Sequence, residues 1–193
     1  MKLGSTIDTL DSKIEKYLID EDQYSYLYDP YFGIIRNRVN AEYCKSLIRL
    51  NRKKEVVQNI INFLIDAQNE KGSWNEIHPY YDEPSSLVTS IVADALLEWY
   101  KVNDGDENLR KSIEKAKDYV LSCEIKPGFF IKSRFYYQDH LNVDATCADF
   151  LSSYSRYHSD IETEKAAKHA LEHNRTHQFQ NGVFPYRVDS EIK

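Results

Sequence analysis

Gln68-Asn69-Glu70-Lys71-Gly72-Ser73-Trp74 is one of three copies of a single phrase. The others are Glu124-Ile125-Lys126-Pro127-Gly128-Phe129-Phe130 and Gln178-Phe179-Gln180-Asn181-Gly182-Val183-Phe184, so each reads Gln/Glu-x3-Gly-x-aromatic. Gly72, Gly128 and Gly182 stand 56 and 54 residues apart. A near-constant period of this size marks a repeat architecture, in which each unit is one supersecondary brick. A weaker fourth match, Asp29-x3-Gly33-x-Ile35, lies near the start of the chain.

Between the phrases the pattern is helical. Pro84 suits a first helical turn; Leu87, Val88, Ile91, Val92, Ala95, Leu96 and Trp99 then recur at the helical period. Asn103-Asp104-Gly105-Asp106 breaks that run, and Leu109, Ile113, Ala116, Tyr119 and Val120 form the apolar stripe of a second helix. The same order predicts helices near 38–50 and 54–67 before the Trp74 loop, and near 142–157 and 161–177 before the Phe184 loop. A lone amphipathic helix is expected near 6–19. The first helix of each pair is the more apolar and the second the more charged, which implies an inner and an outer layer. The fold expected is all-α: a partial α/α toroid of about three hairpins plus an N-terminal outer helix. It forms one repeat domain over 1–193, with units at about 38–83, 84–140 and 141–193.

Phe63-Leu64-x3-Gln68-x3-Gly72-x-Trp74 resembles the QW repeat of squalene and oxidosqualene cyclases. Lys115-Ala116-x2-Tyr119-Val120-x3-Glu124-x3-Gly128-x-Phe130 is similar to its longer form, and the third copy carries His173 where the aromatic belongs. The resemblance covers most of 38–187. It implies the α/α-toroid superfamily, which includes protein prenyltransferase β subunits and is close in architecture to several polysaccharide lyases and glycosidases. Physically, the phrase is architectural. A glycine past a helix end can adopt the left-handed cap, an amide can bond free backbone groups there, and an aromatic ring can cover the seam between hairpins.

Chemistry is expected where inner helices begin, at one rim of a central cavity. Asn40, Thr89 and Asp144 hold that position in the three units. Asn142-Val143-Asp144-Ala145-Thr146 is similar to the Asp-x-Asp-Asp-Thr acid motif of class II terpene cyclases, with Asn142 and Ala145 at its first and fourth positions. The resemblance implies Asp144 as proton donor to an isoprenoid-like substrate; the other reading is a helix-capping carboxylate in a first turn. The loops add His78, Tyr80 and Tyr81, then Tyr136, Tyr137, Asp139 and His140. Rings beside acids and histidines suit a sugar, through hydrolysis by paired carboxylates or proton abstraction beside a uronate carboxylate. The alternative is that these rings only pack between hairpins, making the chain a non-catalytic scaffold.

No cofactor or metal is expected. His140, Asp144 and Cys147 share a helix face, but seven helical residues span roughly 10.5 Å, too far for one ion with bonds of about 2.0–2.3 Å. His169, His173 and His177 recur at spacing four on a charged outer helix and read as a solvated face. A net charge of −6 excludes a general attraction to phosphate backbones or anionic lipid, and no apolar run reaches the roughly 18–20 residues of a bilayer span. Three cysteines without a paired motif point to a reduced, cytoplasmic setting. The expected partners are a small-molecule ligand, isoprenoid or carbohydrate, and a second copy or partner chain completing the ring, because closed toroids contain more hairpins than three.

Overall fold

The computed structural model describes residues 3–103 and 106–188. Asp104 and Gly105 of the expected helix break, and the tail 189–193, lie outside the described residues. Three helical hairpins follow an N-terminal segment. They are α2 (Asn37–Arg49) with α3 (Lys54–Asp66), α4 (Ser86–Val102) with α5 (Glu107–Ser122), and α6 (Leu141–His158) with α7 (Ile161–Thr176).

The two-row arrangement follows from which faces are apolar. Helix α4 packs against α2 on one side and α6 on the other, while α5 and α7 pack mainly against the inner helix preceding them and α3 against both α2 and the N-terminal strand Tyr24–Asp29. Flanked on all sides, α4 buries residues around most of its circumference, from Leu87 and Val88 through Leu97 to Tyr100. The outer helix α5 buries only Leu109, Ser112, Ile113, Ala116 and Val120, a single stripe. Side-chain oxygens of Ser85, Asp106 and Asp160 accept first-turn N–H groups and cap α4, α5 and α7.

The repeated phrase is the joint between hairpins. Gly72, Gly128 and Gly182 have φ of 88°, 82° and 84°, the left-handed region in which only glycine is unstrained. Two of them also press on the next outer helix: a Cβ at Gly72 would stand 2.3 Å from the Lys115 carbonyl oxygen, and one at Gly128 2.3 Å from that of His169. The Gln68 amide donates to both the Gly72 and Ser112 carbonyls, at 3.0 and 2.9 Å, bridging α3 to α5. Trp74, fully buried, donates its indole N–H to the Leu64 carbonyl at 2.7 Å.

The N-terminal segment differs from expectation. Helix α1 (Leu3–Ile14) ends in a 3-10 turn and leads into a three-stranded antiparallel sheet, β1 (Leu18–Glu21), β2 (Tyr24–Asp29) and β3 (Ile34–Ile35). Asp29 pairs with Ile34 across a turn that holds Gly33 at a φ of 68°, so Asp29-x3-Gly33 closes a hairpin of strands, as Glu124-x3-Gly128 does. The loops of the other units also form small hairpins. Asn75–His78 (β4) pairs with Tyr81–Pro84 (β5), and Glu124–Lys126 (β6) pairs with Phe129–Phe130 (β7). Among the described residues, no helix is long and apolar enough to cross a membrane.

Candidate functional site

Asn40, Thr89 and Asp144 occupy equivalent places, as their alignment predicts, but they do not line a cavity. All three are fully buried. Each accepts a backbone N–H from the segment preceding its helix: Asn40 from Leu27 at 2.6 Å, Thr89 from Trp74 at 3.0 Å, and Asp144 from Phe130 at 2.7 Å. The device clamps the loop strand onto the inner helix. Asn40 spends its amide on the Leu27 and Arg36 carbonyls as well, and so is saturated.

Asp144 is not saturated. Its second oxygen is buried without a hydrogen-bond donor and lies 3.9 Å from His173 Nε2. The same nitrogen lies 2.8 Å from Asp139 Oδ2, and the other Asp139 oxygen is also buried without a donor. Burial pushes Asp144 far above the usual carboxylate range, and the Asp139 charge adds to that, against the opposing effect of the Phe130 N–H. His173 thus turns inward to two acids instead of facing solvent; its ring lies parallel to that of Phe129, 6.4 Å away. The charged stripe of α7 concealed this, because a histidine amid Lys168, Glu172 and Arg175 gives no sequence signal of an inward partner.

A groove of about 570 Å³ opens beside this group, lined by Lys126, Phe129, Tyr137, Asp139, His173 and Arg187 among others. Arg187 and Val188 border it. Val188 donates its N–H to the Asp139 carbonyl at 3.0 Å, Arg187 bonds Gln138 at 2.8 Å, and Tyr186 meets the His140 ring edge-on at 5.1 Å. His140 itself is buried; desolvation, with the Arg187 and Lys132 charges, lowers its basicity.

The remaining loop residues form a second cluster. His78 stacks on Tyr81 with centroids 4.8 Å apart and touches Tyr80, while Tyr81 meets Tyr136 at 6.3 Å. Lys132 joins β4 to this loop, lying 5.1 Å from the Tyr136 ring centre and 2.7 Å from Glu76. Tyr80 and Tyr137 are strongly exposed, at 90% and 63%. The structure therefore gathers His78, Tyr80, Tyr81 and Tyr136 in one place, and Tyr137, Asp139 and His140 in another. Sequence reading missed Glu76, Lys132, Phe129, Arg187 and the inward His173; the last is the reciprocal of its own unusual place in the repeat.

No protein family matches the sequence, and no curated protein resembles it. Solved structures do share its fold. The GH76 alpha-mannanase of Bacteroides thetaiotaomicron superposes with a TM-score of 0.74 at 6% identity, covering 92% of this chain and 56% of that one. A mutant reducing-end-xylose releasing exo-oligoxylanase gives 0.68 at 14% identity, covering 92% and 54%. A mutant of Rex8A from Paenibacillus barcinonensis, complexed with xylose, gives 0.70 at 12%, covering 94% and 58%. These α/α toroids establish the fold as the same kind, and the chain spans little more than half the length of each.

Proposed function

We propose that this chain is a carbohydrate-active α/α-toroid protein whose groove beside α6 and α7 takes a sugar. One observation carries the reading: an exposed ring (Tyr137), a guanidinium (Arg187) and a carboxylate held by a histidine (Asp139 with His173) border a single groove. A ring can cover the apolar face of a pyranose, while charged and amide groups bond its hydroxyls. Asp139, at the groove wall, is the acid–base group in this reading while its carboxylate is free of any metal. Asp144 lies behind it, fully buried, and acts on Asp139 through charge and position. His78, Tyr80, Tyr81 and Tyr136 extend the binding face on the adjoining hairpin. Support also comes from the structural neighbours, named as a mannanase and oligoxylanases.

The isoprenoid reading has less support. A cyclase acid needs an apolar lumen at its exposed oxygen, and Asp144 is enclosed with one oxygen bonded to the Phe130 N–H. The proposal keeps one domain of three units, 38–83, 84–140 and 141–193, in a reducing compartment that suits its three free buried thiols. Ring completion by a second copy belongs to it too, resting on the apolar groove of about 840 Å³ between α1 and α2, lined by Ile7, Leu10, Tyr17 and Leu50. Light scattering that finds only monomer at high concentration removes that part.

The test of the main reading is a thermal-shift series with manno- and xylo-oligosaccharides, uronate oligosaccharides and polyprenyl diphosphates. A ligand binding only the native state raises the midpoint. Stabilisation by a saccharide supports the proposal; stabilisation by polyprenyl diphosphates alone overturns it.

A further inference from the structure

Three potential ligands converge from separate parts of the chain: Asp139 before α6, Asp144 in its first turn, and His173 on α7. One oxygen of each acid and one imidazole nitrogen lie within 4.8 Å of one another. His173 Nε2 is 2.8 Å from Asp139 and 3.9 Å from Asp144. Four-coordinate bonds of about 2.0–2.2 Å set ligand atoms about 3.3–3.6 Å apart. The observed spacings bracket that range, so small side-chain rotations suffice.

The second observation is the state of the acids. Asp144 is fully buried, and the oxygen it does not spend on Phe130 has no donor. The free Asp139 oxygen is likewise buried and without a donor. Two carboxylates enclosed together, each with an unsatisfied oxygen, are costly unless a positive centre lies between them. The position between them is also where the His173 nitrogen points. The supporting contacts fix the ligands before any ion arrives: the Phe130 N–H orients Asp144, Phe129 flanks the imidazole, and Val188 ties down the Asp139 backbone.

We propose that Asp139, Asp144 and His173 form a binding site for one divalent transition-metal ion, with zinc the best chemical match. Two carboxylates and one imidazole suit a borderline ion, whereas calcium and magnesium favour all-oxygen sets with more ligands or retained waters. Three protein ligands leave a coordination position free. Asp139 and His173 border the groove, so a water or ligand oxygen can reach the site from it.

The test is calorimetric titration of the chelator-stripped full chain with zinc chloride, with manganese, magnesium and calcium chlorides in parallel. The site predicts one zinc per chain, with manganese weaker and the other two without measurable heat. Asp144→Asn keeps a carbonyl oxygen for the Phe130 N–H, so it tests ligation with the clamp intact; it and His173→Gln each weaken zinc at least tenfold. Cobalt gives a second readout, as visible d–d bands in the parent that Asp144→Asn abolishes. Absence of stoichiometric zinc binding overturns the site and leaves a proton between the acids. Zinc binding unchanged in both variants, with circular dichroism confirming their fold, also overturns it. No sugar is present in these titrations, so their failure is separate from failure of the carbohydrate reading.

Discussion

Gly128 lies so close to α7 that a β-carbon on it would meet the His169 carbonyl oxygen at 2.3 Å. The contact is backbone on backbone, so no side chain can swing aside to relieve it. It recurs between Gly72 and Lys115, which makes the glycine of the phrase a spacer between successive hairpins. At Gly182 the backbone angle is the same, but the nearest atom among the described residues is Gln178 Nε2 at 3.8 Å. The three sites therefore separate conformational strain from steric overlap.

Gly182→Ala is expected to cost about 1–2 kcal/mol, the strain of a left-handed alanine. Gly72→Ala and Gly128→Ala add displacement of an outer helix and are expected to cost about 3 kcal/mol or more. Urea denaturation of the three variants checks the ordering. Equal losses at all three would show that the close approach carries no weight.

Thr89→Val removes the acceptor of the buried Trp74 N–H while keeping the shape of the side chain. An orphaned buried donor costs about 1–3 kcal/mol. Thr89→Ser retains the hydroxyl and is expected to lose less. The midpoints of the two variants in the same denaturant series make the comparison.

Asp11 ties α1 to the first hairpin. Burial acts to raise its pKa, but hydrogen bonds from Lys53 and Tyr43, with the Lys53 and Arg52 charges, outweigh it and hold the carboxyl below its ordinary value of 3.8. A depressed carboxylate contributes stability that is fully present above the unfolded-state value and lost as pH falls through the folded one. Asp11→Asn is thus expected to destabilise the chain at pH 7, with the difference from the parent shrinking below roughly pH 4. Denaturation at several pH values measures it; a gap that widens in acid reverses the sign and defeats the prediction.

Tyr137 is 63% exposed and borders the groove, so truncating it should leave the fold alone. Tyr137→Ala and Arg187→Ala are each expected to weaken the stabilising saccharide by about tenfold, or roughly 1.4 kcal/mol, with thermal midpoints unchanged in its absence. Titration calorimetry with that saccharide supplies the numbers. Unaltered affinity in both variants moves the sugar elsewhere.

The helices were legible because their causes are local. Leu87 to Trp99 advertises α4 through periodicity, and Leu109, Ile113, Ala116 and Val120 advertise α5 through their apolar stripe. The strands were less so. Tyr24, Tyr26 and Tyr28 share one face of β2, alternating with the buried Ser25 and Leu27, a period-two signal too short to stand out beside so many helices. The candidate site lay furthest from sequence reading. Aligning Asn40, Thr89 and Asp144 found one position in the repeat, but not its partner, a main-chain N–H some 13 to 15 residues upstream. A spacing argument confined to one helix could not bring His173 to Asp139, because 34 residues and a hairpin separate them.

At that shared position the repeat tolerates an amide, a hydroxyl or a carboxyl, since any of them offers one oxygen to the strand behind. Architecture thus fixes half of the functional group and leaves the other half unassigned. Where the occupant is an acid, the surplus atom arrives already aimed and dehydrated, so in that hairpin one residue serves both the scaffold and the group formed with Asp139 and His173.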